Sequence, residues 1–143
     1  MHKVTIRAAM LSDANEVFRL LCKFATSYKP SHATFDSNYA KLLENEGSDL
    51  LVADEDGAVA GYALASDSLT LFANGVVTEL IELYVEEERR GSGIGQALVR
   101  QACSRARDRG AVEITVPTRR ARSFYLTLGF EFTAEFFKLN LEH

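Results

Sequence analysis

The spacing of apolar positions changes along the chain, and each change marks the boundary of an element. Val4, Ile6 and Ala8 alternate with Thr5, Arg7 and Ala9, which predicts a short strand. Ser12 and Asp13 then offer side-chain oxygens suited to capping a helix. Val17, Leu20, Leu21 and Phe24 recur at three and four, so one face of that helix packs inward, and it stops before Pro30. Residues 31–47 carry Phe35, Tyr39, Leu42 and Leu43 at helical spacing and predict a second helix, placed to wall a substrate site.

Residues 50–53 and 58–65 are apolar runs divided by Asp54-Glu55-Asp56-Gly57. An Asp-Gly pair tolerates the positive φ of a tight turn, so the two runs read as an antiparallel hairpin. Residues 76–85 predict a further strand, 94–109 a helix ended by Gly110, and 111–116 another strand. Residues 119–128 predict a last helix ended by Gly129, and 130–139 a final strand. The order β-α-α-β-β-β-α-β-α-β, without repeat, low-complexity tract or linker, favours an α/β fold with a mixed sheet over a doubly wound one.

Composition narrows this further. With 143 residues, 47% hydrophobic positions and nine Phe, a core can form without a disulfide or metal staple. We expect a single domain over residues 1–140 and read Leu141-Glu142-His143 as an expression-tag remnant. Sixteen Lys and Arg against 20 Asp and Glu, a net charge of −4, disfavour a broad footprint on nucleic acid or anionic membrane. No apolar leader core and no run of about 18 apolar residues occurs, so a soluble, cytoplasmic protein is expected. Cys22 and Cys103 form no CxxC motif and read as buried thiols. His2, His32 and His143 form no spaced cluster, and no metal is expected.

The segment richest in chemistry runs from Glu82 to Leu98: an apolar strand end, three glutamates, Arg89 and Arg90, a glycine turn and a helix. Gly91, Gly93 and Gly95 would weaken a regular element, so they let the chain take unusual φ/ψ or let a ligand approach the backbone. Free N–H groups at the start of the next helix, at its positive dipole end, suit a phosphate. The turn is not a P-loop, since Gly-Lys occurs nowhere in the chain. Nor is it a dinucleotide fingerprint starting at Gly91, because Gln96 stands where the last glycine belongs.

Arg90-Gly91-Ser92-Gly93-Ile94-Gly95 fits Arg/Gln-x-x-Gly-x-Gly/Ala after the strand end Leu83-Tyr84-Val85, and this resembles the GNAT superfamily of coenzyme A-dependent N-acetyltransferases. Residues 121–130, Ala-Arg-Ser-Phe-Tyr-Leu-Thr-Leu-Gly-Phe, are similar to that family's Ala-x-x-Phe-Tyr-x-x-x-Gly-Phe signature. The resemblance implies a GNAT-like fold and acetyl-CoA as co-substrate. It also implies that the N–H groups of Arg90, Gly91, Ser92, Gly93, Ile94 and Gly95, with Gln96, hold the pyrophosphate, Ser92 adding a hydroxyl. Leu83, Tyr84 and Val85 then lie along the pantetheine arm, with main-chain groups of Leu83 and Val85 adding it as a pseudo-strand. Arg89, Arg119, Arg120 and Arg122 are candidates for the 3′-phosphate, and at least two of them read equally as solvated charge.

The implied reaction is attack of a primary amine on a thioester. Tyr125, matching the family's usual acid, would protonate the leaving sulfur. A main-chain N–H of Val85 or a neighbour would meet the oxyanion. Glu82 and Glu79 are the candidate bases, acting through water; they face opposite sides of an ideal strand unless a bulge intervenes, and Glu82 is preferred. Glu86, Glu87 and Glu88 read as a charged loop exterior, and Phe124 and Phe130 as core aromatics. Thr118 departs from the family's Asn; it can cap the last helix but cannot copy both ends of a carboxamide.

The acceptor is expected between residues 31–47 and the loop 66–75, with Tyr28, His32, Phe35, Asp36, Tyr39 and Phe72 as candidate lining. The leading reading is acetylation of a small-molecule amine. A peptide or protein acceptor is the alternative, and a non-catalytic acyl-CoA binding or sensing module is a different class. The aromatic run Phe130, Phe132, Phe136 and Phe137, with exposed strand edges, points to a homodimer.

Overall fold

The computed structural model describes residues 3–118 and 120–141. Five strands form one sheet in the order β1 (Val4–Ala8), β2 (Ser48–Glu55), β3 (Ala58–Thr70), β4 (Gly75–Val85) and β5 (Glu113–Thr115). The first four pair antiparallel, and β5 joins β4 in parallel, through Val77↔Glu113, Thr78↔Ile114 and Glu79↔Thr115. Helices α1 (Ala14–Phe24) and α2 (His32–Glu44) cover one face; α3 (Ile94–Asp108) and α4 (Arg122–Thr127) lie on the other. No described helix is long and apolar enough to cross a membrane.

The alternation of strand residues divides the core between these faces. Leu51, Ala53, Ala63 and Leu80 pack with Leu98, Val99 and Ala102 of α3, whereas Leu50, Val52, Tyr62 and Leu64 pack with Val17 and Leu20 of α1 and Tyr39 of α2. Two register shifts interrupt the alternation. In β3, Ala60 is the extra residue between the pairs Asp54↔Val59 and Ala53↔Gly61. In β4, Ile81 is extra between Ala65↔Leu80 and Leu64↔Glu82. The second bulge sends Leu83 and Val85 to the same face as Leu80, so Glu79 and Glu82 share the opposite one.

Several expectations change on the folded chain. Residues 66–75 are not a loop: β3 and β4 continue the hairpin to Thr70 and Gly75, leaving Leu71 and Phe72 exposed at its tip. Residues 130–141 form no strand, because β5 spans only three residues and offers almost no edge for their alternating side chains to join. Asp13 does not cap α1. Its carboxylate turns back to the Met10 N–H at 2.8 Å and takes a bidentate pair from Arg7 at 2.8 and 2.9 Å. Cys22 is exposed rather than buried, its position falling on the outer side of α1. Cys103 is partly buried, and burial pushes its thiol pKa up.

Polar clamps fix α3 on the sheet. The buried carboxylate of Asp49 accepts from Arg105 at 2.9 Å and Arg109 at 3.0 Å, and Arg109 also reaches Asp67 at 2.7 Å. The fully buried Thr78 hydroxyl donates to Asp67 at 2.7 Å. Gly61 allows the closest approach within the sheet: a Cβ there would stand 2.8 Å from the Tyr84 carbonyl oxygen and 3.3 Å from Leu98.

Gly61→Ala should therefore destabilise the protein by about 1–3 kcal/mol, read as a lowered midpoint in denaturant at unchanged slope. A second prediction concerns acid. Hydrogen bonds from Arg109 and Arg7 hold the Asp67 and Asp13 carboxyls below the usual carboxylate range. A group depressed on folding stabilises the native state above its unfolded pKa of about 4, and that stability is lost as pH falls through the folded value. Tm should stay level between about pH 7 and 5 and fall below about pH 4, with a shallower fall in Asp67→Asn.

Candidate active site

β4 and β5 part company after Glu79 and Thr115. Beyond that point β4 runs on to Val85 with only β3 beside it, while the chain leaving β5 turns through Pro117 toward α4. The orientation of the β4 main chain follows from two contacts. The Glu86 N–H donates to the Ala60 carbonyl at 2.8 Å, and the Tyr84 carbonyl points at Gly61 of β3. In an antiparallel ladder the N–H and C=O groups of successive residues point to opposite edges, so those of Leu83 and Val85 face the gap. The main chain of Tyr84 faces β3, so Leu83 and Val85 are the two of these three residues that turn main-chain groups toward the gap.

The gap opens into a cleft of about 1310 Å³. Leu83, Val85, the glycine turn, Thr118 and Tyr125 all line it. Gly91 and Gly93 adopt φ of 81° and 90°, with nothing within 4 Å of where a Cβ would sit. Gly93 is the N-cap of α3, and the first intrahelical bond runs from the Ala97 N–H to its carbonyl at 3.0 Å. The N–H groups of residues 91–96 donate to no described protein group. Six main-chain donors in the turn and first helical residues are thus left without an acceptor among the described residues, the arrangement that suits an anion.

Other site residues are already engaged. The Arg90 N–H goes to the Glu87 carbonyl at 3.3 Å, so its main chain does not join that set. Its guanidinium instead donates to Val85 O at 3.0 Å and lies 5.2 Å from the centre of the Tyr84 ring, bracing the turn against the strand end. The Ser92 hydroxyl donates to Arg89 O at 2.5 Å, so it is not a free donor. Ile94 is buried in the core and offers only its N–H. The Gln96 carboxamide oxygen faces Arg100 at 2.8 Å. At Gly95 an added Cβ would stand in ordinary contact with the Phe124 ring, at 3.5 Å.

The arginine candidates separate clearly. Arg89 is paired with Glu55, and Arg122 lies 5.1 Å from the Phe132 ring centre. Arg120 lines the cleft, while Arg119 lies outside the described residues. Thr118 does not cap α4; its hydroxyl accepts from the Arg120 N–H at 3.1 Å and donates to the Arg120 carbonyl, a turn closed on itself. Glu86 is no loop exterior. It bridges Arg19 at 2.9 Å and Lys23 at 3.1 Å, and despite partial burial, which acts the other way, these cations hold its pKa down.

Tyr125 is 9% exposed, wedged edge-on between Phe124 and Phe130, and burial pushes its pKa up to about 12. It stays protonated throughout the neutral range. On the opposite face, a second cavity of about 460 Å³ lies between α1, α2 and the sheet. Glu82 lines both cavities; Glu79, exposed further back on the strand, lines neither. The Tyr62 hydroxyl, on a side chain 2% exposed, donates to Glu82 Oε1 at 2.7 Å, and burial followed by this carboxylate raises the Tyr62 pKa well above the ordinary value. Sequence reasoning missed Tyr62; the bulge that turns Glu82 toward it is the one condition under which Glu79 and Glu82 share a face. Tyr28, Phe35 and Tyr39 do line the second cavity. His32, stacked on Phe18 at 4.4 Å, does not; nor do Asp36 and Phe72.

Residues 14–130 match the model of the Acetyltransferase (GNAT) family, and the chain belongs to that family. It is 26% identical over 136 residues to a putative ribosomal protein bS18-alanine N-acetyltransferase of Bacillus subtilis, a match covering 90% of this chain and 82% of that one. Human N-acetyltransferase 8B is 37% identical over 101 residues, covering 66% of this chain but only 44% of that protein. An aminoglycoside N-acetyltransferase solved in complex with CoA superposes with a TM-score of 0.87 at 17% identity, covering 98% of this chain and 95% of that one. The protein is an acyltransferase of the N-acetyltransferase class.

Proposed function

We propose that this chain transfers the acetyl group of acetyl-CoA to a primary amine of a small molecule, by direct attack in a ternary complex. One observation carries the reading: Glu82 stands where the cleft of the glycine turn meets an adjoining, side-chain-walled cavity. Leu21, Tyr28 and Pro30 also border both spaces, so two reactants can meet at one carboxylate where the cavities adjoin.

The residues of the cleft fit coenzyme A. The N–H groups of residues 91–96 would hold the pyrophosphate, and the main-chain groups of Leu83 with the Val85 N–H the pantetheine amides, the Val85 carbonyl being already met by Arg90. When bound, acetyl-CoA supplies a thioester whose acetyl carbon accepts the amine, leaving an amide and a free thiol. Arg120 is the cleft arginine left to meet a further phosphate.

Glu82 receives the proton an incoming ammonium must lose, through a water, with Tyr62 fixing one of its oxygens. Tyr125 keeps its proton at neutral pH and delivers it from Oη to the departing thiolate. An open-edge N–H of Leu83 or Val85 meets the oxyanion. A second reading, acetylation of a protein N-terminus, draws on the Bacillus subtilis relative, whose name specifies an alanine of bS18.

Gly93→Glu should abolish coenzyme A binding by calorimetry while the far-ultraviolet dichroism stays native; unchanged affinity would remove the pyrophosphate assignment. Tyr125→Phe should lower kcat about 10²-fold at unchanged coenzyme A affinity, and equal turnover at every pH would show that Tyr125 is not the acid.

A further inference from the structure

The cavity between α2 and the sheet also carries information about the acceptor's body. This step rests on the proposed small-molecule acetyl transfer and asks which amines the second cavity admits. Its walls are mostly aliphatic and aromatic, with Leu42, Leu50, Leu64, Phe35, Tyr39 and Tyr62 from α2, β2 and β3, and the uncharged polar side chains Ser31, Thr34 and Asn38 stand only along the α2 side. The two tyrosine hydroxyls have spent their protons inside the protein, Tyr39 on Met10 O at 2.7 Å and Tyr62 on Glu82 at 2.7 Å. Hydroxyl-rich ligands therefore find no phenol donor on these walls.

Charge is scarcer still. Among the lining residues Glu82 is the only carboxylate and Lys29 the only cation. An ammonium brought into such a site needs a carboxylate partner, and there is one. A second or third ammonium would meet apolar wall or Lys29.

We infer that the acceptor is a monoamine with an apolar aromatic or branched aliphatic body, whose single ammonium lies at Glu82 while its body fills the cavity. The volume of about 460 Å³ lies toward the lower end of small-molecule sites and has room for a ring-sized body. Polyamines and aminoglycosides are excluded by charge, and short hydroxylated amines gain too little from burial.

The test is a thiol-release assay with saturating acetyl-CoA. It compares 2-phenylethylamine and 3-methylbutylamine with ethanolamine, spermidine, kanamycin and a peptide beginning with alanine. The same amines are titrated calorimetrically into protein saturated with coenzyme A, where no turnover occurs. Apolar monoamines should exceed ethanolamine in kcat/KM by at least about tenfold, and should bind more tightly than spermidine. Thr34→Asp, on the exposed first turn of α2 at the rim of the cavity, adds a second carboxylate. It should raise the preference for 1,5-diaminopentane over pentylamine by about tenfold. Spermidine, kanamycin or ethanolamine matching the apolar amines would overturn the inference and leave small-molecule acetylation standing. Turnover of the peptide alone, with no amine bound in calorimetry, would overturn both.

Discussion

β4 is held along its whole length by β3 but by β5 only as far as Glu79. A sheet interior normally pairs every main-chain group, and unpaired ones away from water are costly. Here the pairing stops in the middle of the sheet, at the N-terminal side of the largest helix on that face. The groups released, those of Leu83 and Val85, have no strand to answer them. The same parting gives the N-terminus of α3 its outlook, because the chain that would have filled the space turns away at Pro117. An open strand edge and an unshielded helix start are two results of one divergence, and both offer hydrogen bonds to whatever enters.

Holding such a gap open requires that its two sides not drift. Arg105 and Arg109 tie the far end of α3 to Asp49 and Asp67, and Thr78 anchors Asp67 from within β4. At the near end, Arg19 and Lys23 of α1 grip Glu86, and Arg89 grips Glu55. The more exposed of these pairs, such as Lys23 with Glu86, add little to stability. Their value lies in position, since they bracket the glycine turn so that its N–H groups keep a fixed relation to the edge of β4. Arg90 completes the bracket from below by joining the Val85 carbonyl and the Tyr84 ring.

Much of this was legible in the sequence. The alternation of β1, the apolar runs of β2 and β3, the 3–4 spacing of α1 and the glycine turn before α3 are local signals, and an element formed at each, although β2 and β3 run past the apolar stretches that marked them. The final strand was not legible, because alternation in residues 130–139 says nothing about whether an edge exists to pair with. Phe136 and Lys138 border the cleft, while Phe137, at 84% exposed, and Leu139 face out. Of the candidate site, residues whose contribution is their own main chain were readable from glycine placement, except where another carbonyl captures the N–H, as Glu87 does that of Arg90. Tyr62 was hidden, since an apolar strand gives no sign that one phenol will meet a carboxylate 20 residues on.

The bulge at Ile81 then decides what the site can be. Without it Glu82 would share the α3 face with Leu80, pointing into apolar core and away from Tyr62. With it the carboxylate turns to the α1 and α2 side, while Leu83 and Val85 keep their side chains in the α3 core and their polar main chain on the gap. One inserted residue therefore puts a carboxylate on one side of the strand within reach of the edge groups on another. The bulge opposes Leu64 and Ala65, next to Tyr62, so the phenol that fixes Glu82 comes from the strand that pairs with it. A residue's identity as a base depends on that geometry before it depends on its chemistry, and Glu79, with the same chemistry and the same face, is left outside both cavities.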